Sequence, residues 1–96
     1  MLDTNYVQNK LNPVFMRYGV KRAVLFGSVA KGTNTESSDI DILVESGLHG
    51  FKFLGLLEDV KSAVGSEVDL LDVSHIEKGS SVDKEIRKTG RVIYEK

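Results

Sequence analysis

The chain has 96 residues, 41% hydrophobic and 28% charged, which is too short for two hydrophobic cores and too apolar for disorder, so residues 1–96 are expected to form a single domain. Its 13 basic and 14 acidic side chains give a net charge of −1, which excludes the strong positive field typical of proteins that bind nucleic acid or anionic membranes. The absence of cysteine excludes disulfides and thiolate sites, and with no signal-peptide pattern and no membrane-length apolar run we expect a cytoplasmic protein.

The first predicted element is an amphipathic helix. Apolar side chains recur at helical spacing from Val7 to Tyr18, and Gly19 follows as a helix C-cap. Pro13 lies inside this pattern, and its missing N–H predicts that the helix is kinked there or restarts with Asn12 as a new cap.

Two strands are predicted next. Residues 23–26 form a short apolar run that ends at Gly27, as in a strand buried on both faces. Residues 39–45 alternate, so that one face carries Ile40, Ile42 and Val44 while the opposite face carries Asp39, Asp41 and Leu43.

The second half of the chain predicts two further helix–strand pairs. A helix with Leu54, Leu57, Val60, Lys61 and Val64 on or near one stripe is followed by a strand over residues 67–72, in which Asp69 lies opposite Val68 and Leu70. A short helix from Val82 that stops at Gly90 and a strand over residues 92–94 complete the pattern. The predicted fold class is α/β (α+β), a small mixed β-sheet covered by helices.

The turn after the first strand is a candidate phosphate site. Gly27 permits close approach of the backbone to a ligand, and Ser28 opens a short helix whose free N–H groups can face an anion. The alternative is that Gly27 only turns the chain and Ser28 only caps the helix.

Three aspartates are candidate metal ligands. Asp39 and Asp41 are two residues apart, so their carboxylates project from the same strand face and can converge on a hard cation. An isolated pair of this kind is more typical of a solvated strand end than of a metal site, but Asp69 on the next strand adds a third carboxylate on the same side of the sheet. His49 and His75 lack an acidic partner at ligand spacing and are not expected to bind metal.

Together, residues 25–28 and 38–44 resemble the nucleotidyltransferase superfamily that includes DNA polymerase beta, and especially its minimal MNT-type branch found beside HEPN-domain toxins. The resemblance implies the nucleotidyltransferase fold, with Gly27 and Ser28 holding the nucleotide and with Asp39, Asp41 and Asp69 as catalytic residues that bind two Mg²⁺ ions. It also implies AMP transfer from ATP to a tyrosine hydroxyl of a HEPN-domain ribonuclease toxin, which would make the chain an antitoxin. A protein acceptor suits the net charge better than nucleic acid does.

Two alternatives to an enzyme stay open: a non-catalytic antitoxin that covers its partner's active site, and a regulatory module that holds the nucleotide without transferring it. The chain also departs from many relatives at Val29, where they carry a basic residue, and Lys31 is the candidate replacement. The sequence does not determine the preferred nucleotide, the oligomeric state or whether Asp69 also accepts the acceptor's proton.

Overall fold

The computed structural model describes residues 3–33 and 39–96, and in these ranges helices and strands alternate along the chain. The elements are α1 Thr4–Tyr18, β1 Arg22–Phe26, α2 Gly27–Lys31, β2 Ile40–Glu45, α3 Phe51–Val64, β3 Val68–Asp72, a 3₁₀ turn Val73–His75, α4 Ser81–Thr89 and β4 Arg91–Glu95. No helix within these ranges is both long and apolar enough to cross a membrane.

The described strands form one mixed sheet in the order β3-β2-β1-β4. The central strand β1 runs antiparallel to both β2 and β4, whereas β2 and β3 are parallel. A parallel pair needs a crossover connection, and α3 supplies it between β2 and β3. The predicted small mixed sheet is therefore confirmed.

One sheet face is fully covered by α1 and α3, which also pack against each other. The inward residues of the second strand, Ile40, Ile42 and Val44, are completely buried there, as their alternation predicts. The Tyr18 hydroxyl donates to the Asp59 carboxylate at 2.6 Å and links the two helices. This face is the hydrophobic core of the domain.

The stripe predicted for α3 is wrong in one respect. The buried residues are Leu56, Val60 and Val64, whereas Leu54 is 52% exposed. Residues spaced by four share one face of a helix, and a residue two positions before Leu56 lies about 200° away around the axis. Leu54 therefore faces solvent.

Helix α1 continues through Pro13, so the predicted alternative of a restart at Asn12 is wrong. Pro13 is exposed, so the carbonyl that loses its helical partner lies on the side where water can bond it. The buried side chains on the opposite side, including Leu11 and Phe15, hold the helix on the sheet. Packing thus outweighs the single lost hydrogen bond.

The second face of the sheet is covered only in part. Val24, Phe26 and Leu43 form a small cluster on it, against which Val82 and Ile86 of α4 pack. Asp41 and Asp69 project side by side from the same face. The sheet thus separates an apolar core from a partly open face that carries these two carboxylates.

Candidate active site

The strand register places two of the predicted acids side by side. Asp41 of β2 and Asp69 of β3 are Cα partners in the parallel ladder, so their side chains project from the same face of the sheet. Asp39 immediately precedes β2, whose start is fixed by a hydrogen bond from the Ile40 N–H to the Glu67 carbonyl at 3.1 Å. The common face predicted for Asp41 and Asp69 is confirmed, whereas Asp39, predicted on the same strand, lies just before it.

The acids differ in their surroundings. Asp41 lies on an inner strand and is half-buried, whereas Asp39 and Asp69 are exposed. Asp69 is exposed although its strand neighbours Val68 and Leu70 are buried, because it lies on the opposite face of β3, which is an edge strand. Because Asp69 is solvated, its carboxylate carries no burial cost that would by itself indicate a bound cation. Its candidacy as a metal ligand therefore depends on its position beside Asp41.

The pKa of the Asp41 carboxyl is raised above its ordinary value of 3.8. Burial is the largest cause, and the negative charges of Asp69, Asp39 and Glu85 raise it further. The electrostatic fields of the three predicted acids therefore overlap at Asp41. A cation at this place would relieve both effects.

The acids have not converged into a preformed ion cage. Across residues 3–33 and 39–96, no three acidic or histidine side chains are grouped closely enough to hold a metal ion. The donor set nevertheless suits a hard divalent cation, because carboxylate oxygens are the ligands that Mg²⁺ prefers in proteins. Asp39, Asp41 and Asp69 are the residues that would hold it.

Gly27 connects the turn to the acids. It has a φ of 76°, and a Cβ placed on it would collide with the carboxylate of Asp41. The contact follows from the register, in which the preceding residue, Phe26, is the Cα partner of Asp41. Only glycine satisfies both the backbone conformation and the space. The turn at Gly27 and the Asp41 carboxylate therefore lie next to each other.

Ser28 lies one residue further along, in the first turn of α2, and is half-buried. The first N–H groups of a helix have no acceptors within the helix, so they can donate hydrogen bonds to a ligand that lies at its N-terminus. The motif's other serine, Ser38, belongs to segment 34–38, outside the described residues.

The structure adds residues that sequence reasoning missed. The Gly27 N–H donates to the Thr89 hydroxyl at 3.1 Å, and the Lys31 ammonium lies 3.4 Å from the Glu85 carboxylate. Both partners belong to α4, roughly sixty residues away in the chain. Neither carries a local motif, so no sequence signal marked them.

Asp72 is a buried acid with a structural explanation. Burial alone would raise its pKa, but hydrogen bonds from the hydroxyls and N–H groups of Ser46 and Ser74 outweigh that effect and lower the pKa to about 2. His75 accepts the Asp72 N–H at 3.3 Å and packs edge-on against Phe53. This network joins the end of β2 to the 3₁₀ turn, away from the acid pair.

The chain is similar to proteins of a known family. The family model described as "Polymerase beta, Nucleotidyltransferase" matches residues 9–96. A Methanocaldococcus jannaschii protein named as a candidate protein adenylyltransferase is 40% identical over 78 residues, covering 78% of this chain and 83% of that protein. The protein adenylyltransferase MntA of Thermococcus cleftensis is 38% identical over 65 residues, covering 66% of each.

A solved structure shares the fold. It is described as a crystal structure of a toxin-antitoxin complex with AMP-PNP, and the matching chain is 28% identical to this one. The superposition has a TM-score of 0.74 and covers 93% of this chain and 73% of the other. The similarity therefore extends over nearly all of the sheet and its helices.

Proposed function

The chain belongs to the polymerase beta nucleotidyltransferase family, and we propose that it transfers AMP from ATP to a hydroxyl group of a protein. The proposal rests on one observation above all: Asp41 lies in register with Asp69 and in contact with Gly27. A nucleotide held at the turn would thus have its phosphates directly beside the acids. The adenylyltransferase names of the relatives from M. jannaschii and T. cleftensis support adenylate as the transferred group.

Asp39, Asp41 and Asp69 are proposed as the ligands of two Mg²⁺ ions. When bound, Mg²⁺ neutralises charge on the triphosphate and on the attacking and leaving oxygens. The raised pKa of Asp41 supports this role, since partial burial and then the negative charges of Asp69, Asp39 and Glu85 disfavour its ionised form, and a bound cation would favour that form.

Gly27 and Ser28 are proposed to hold the triphosphate. The Gly27 Cα, which bears no side chain, lets the phosphates approach the backbone, and the Ser28 hydroxyl and N–H are the donors that would face them. In the transfer step the acceptor oxygen bonds to the α-phosphorus and the bond to the β-phosphate oxygen breaks. Pyrophosphate leaves, and the hydroxyl proton passes to solvent or to the exposed Asp69 carboxylate.

The proposed acceptor is a HEPN-domain toxin, with this chain as its antitoxin. The structural relative with AMP-PNP is a toxin-antitoxin complex, which supports a partner of this kind. A net charge of −1 argues against nucleic acid, whose binding depends on phosphate neutralisation. The partly open face beside the acids leaves room for a partner to present its hydroxyl.

The test is to incubate the purified chain with Mg²⁺, ATP and a HEPN-domain protein encoded beside it, and to measure the intact mass of that protein. The proposal predicts a mass increase in AMP units that EDTA abolishes. A non-catalytic antitoxin would inhibit the toxin without changing its mass, and a regulatory module would bind ATP with neither effect. Either of those results would overturn the enzymatic function.

A further inference from the structure

The phosphate turn is attached to a distant part of the chain. The Gly27 N–H donates to the Thr89 hydroxyl at 3.1 Å, and that hydroxyl donates in turn to the Glu85 carbonyl at 2.9 Å. Because its own proton is engaged, the Thr89 oxygen is oriented to accept from Gly27. The Gly27 N–H is thus occupied by the protein itself, and the donors left for a ligand begin at Ser28.

Two further contacts join the same elements. The Arg91 guanidinium donates through Nε to the Ala30 carbonyl at 3.1 Å, and the Lys31 ammonium pairs with Glu85 at 3.4 Å. We call Glu85, Thr89 and Arg91 the α4–β4 clamp. Its three contacts reach the first, fourth and last residues of α2, so they hold the whole short helix.

The clamp itself is fixed to the sheet. A Cβ on Gly90, which separates α4 from β4, would collide with the Ile86 carbonyl and crowd the side chain of Val24. The absence of a side chain thus lets the α4–β4 corner lie directly on β1. The Thr89 hydroxyl is therefore held at a corner that packs against the inner strand β1.

We infer that Thr89 is a positioning residue, which holds Gly27 where it contacts Asp41 and where α2 faces the nucleotide. This inference rests on the proposed function, because it assigns the turn to triphosphate binding. A loose turn would carry the Ser28 donors away from the phosphates and free the Asp41 carboxylate to move. Thr89 does not touch the nucleotide, so its effect on binding passes through Gly27.

The test uses Thr89→Val, which keeps the shape of the side chain and removes the hydroxyl, and Thr89→Ser, which restores it. The dissociation constant for ATP is measured with Mg²⁺ by calorimetry, without acceptor, well below each variant's Tm. We expect Thr89→Val to weaken ATP binding about three- to tenfold, the order of the net contribution of the Gly27–Thr89 hydrogen bond, and Thr89→Ser to bind as wild type does. Hydrogen exchange of the Gly27 amide should accelerate in the valine variant alone.

Ser80→Ala is the matched control. The Ser80 hydroxyl accepts the Asp83 N–H at 3.2 Å and caps α4 at its other end, so its loss destabilises the same helix without touching the turn. The control should lower Tm and leave ATP affinity unchanged. If Thr89→Val also lowers only Tm, or if Ser80→Ala weakens ATP binding equally, the positioning role is wrong. Wild-type protein that binds no ATP would instead overturn the proposed function, and this inference with it.

Discussion

Gly27 must satisfy two requirements, a positive φ and the absence of a Cβ beside the Asp41 carboxylate. Comparing Gly27→Ala with Gly32→Ala separates them, because Gly32 has only the first requirement. Both glycines have a φ of 76°, but a Cβ on Gly32 meets nothing within 4 Å, whereas one on Gly27 strikes the Asp41 carboxylate. Alanine at such a φ costs about 1–2 kcal/mol, of which about 0.4–1 kcal/mol is recovered through the less flexible unfolded chain. Gly32→Ala should therefore destabilise the fold by about 1 kcal/mol.

Gly27→Ala carries the additional cost of forcing Asp41 out of its rotamer, about 0.5–1.5 kcal/mol, for a total near 2 kcal/mol. Since 1 kcal/mol shifts Tm by about 4–8 °C in a domain of this size, thermal unfolding resolves the two variants. Because Asp41 moves only in Gly27→Ala, that variant alone should lose affinity for ATP with Mg²⁺, measured by calorimetry. Equal Tm values, or equal ATP affinities, would refute the proposed contact between the turn and the acid.

Three further variants test the electrostatics and the turn. Asp41→Asn should raise Tm at pH 7, because it removes a partly buried charge and its repulsion by the neighbouring acids. The pKa of Asp41 is raised in the folded protein, so this gain in Tm should shrink as the pH falls toward 3.8 and the wild-type carboxylate takes up a proton. A gain in Tm that is independent of pH would contradict the raised pKa of Asp41. The lowered pKa of Asp72, about 2 against 3.8, corresponds to about 2 kcal/mol of stability that is complete above pH 4 and lost toward pH 2. Asp72→Asn should lose this stability at pH 7, measured by urea unfolding, and its stability should approach that of wild type at pH 2. An unchanged urea midpoint at pH 7 would argue against the stabilising role of the Asp72 carboxylate. Ser28→Ala should weaken ATP binding by about 0.5–3 kcal/mol with little change in Tm. An unchanged affinity for ATP would show that Ser28 does not bind the triphosphate.

The sequence predicted the sheet faces well because strand alternation is a local property. Ile40 and Ile42 are apolar at every second position and lie in the core, while Asp41 projects from the other side. Gly27 was recognisable because a glycine directly after a buried strand is a strong local signal for a turn. The family motif then related these positions to each other.

Contacts between distant segments could not be read from the sequence in this way. Thr89 reaches Gly27 only because the α4–β4 corner lies on β1, and nothing near Thr89 in the chain indicates that packing. The exposure of Asp69 follows from β3 being an edge strand, which the order of elements alone does not determine. The uninterrupted helix through Pro13 likewise depends on tertiary packing, which local propensity ignores.

We propose that Asp39, Asp41 and Asp69 act together in Mg²⁺-dependent transfer of AMP. The most direct measurement is the rate at which a HEPN-domain acceptor gains AMP, followed by intact mass, with each aspartate replaced singly by asparagine. Glu67→Gln is the control, since Glu67 is an exposed acid directly before β3, the strand that carries Asp69. Among the residues described, the Glu67 carboxylate forms an ion pair only with Lys61, at 3.5 Å. We expect near-complete loss of transfer in all three aspartate variants, at unchanged or raised Tm, and wild-type transfer in Glu67→Gln. Transfer at the wild-type rate in Asp41→Asn would contradict this proposal.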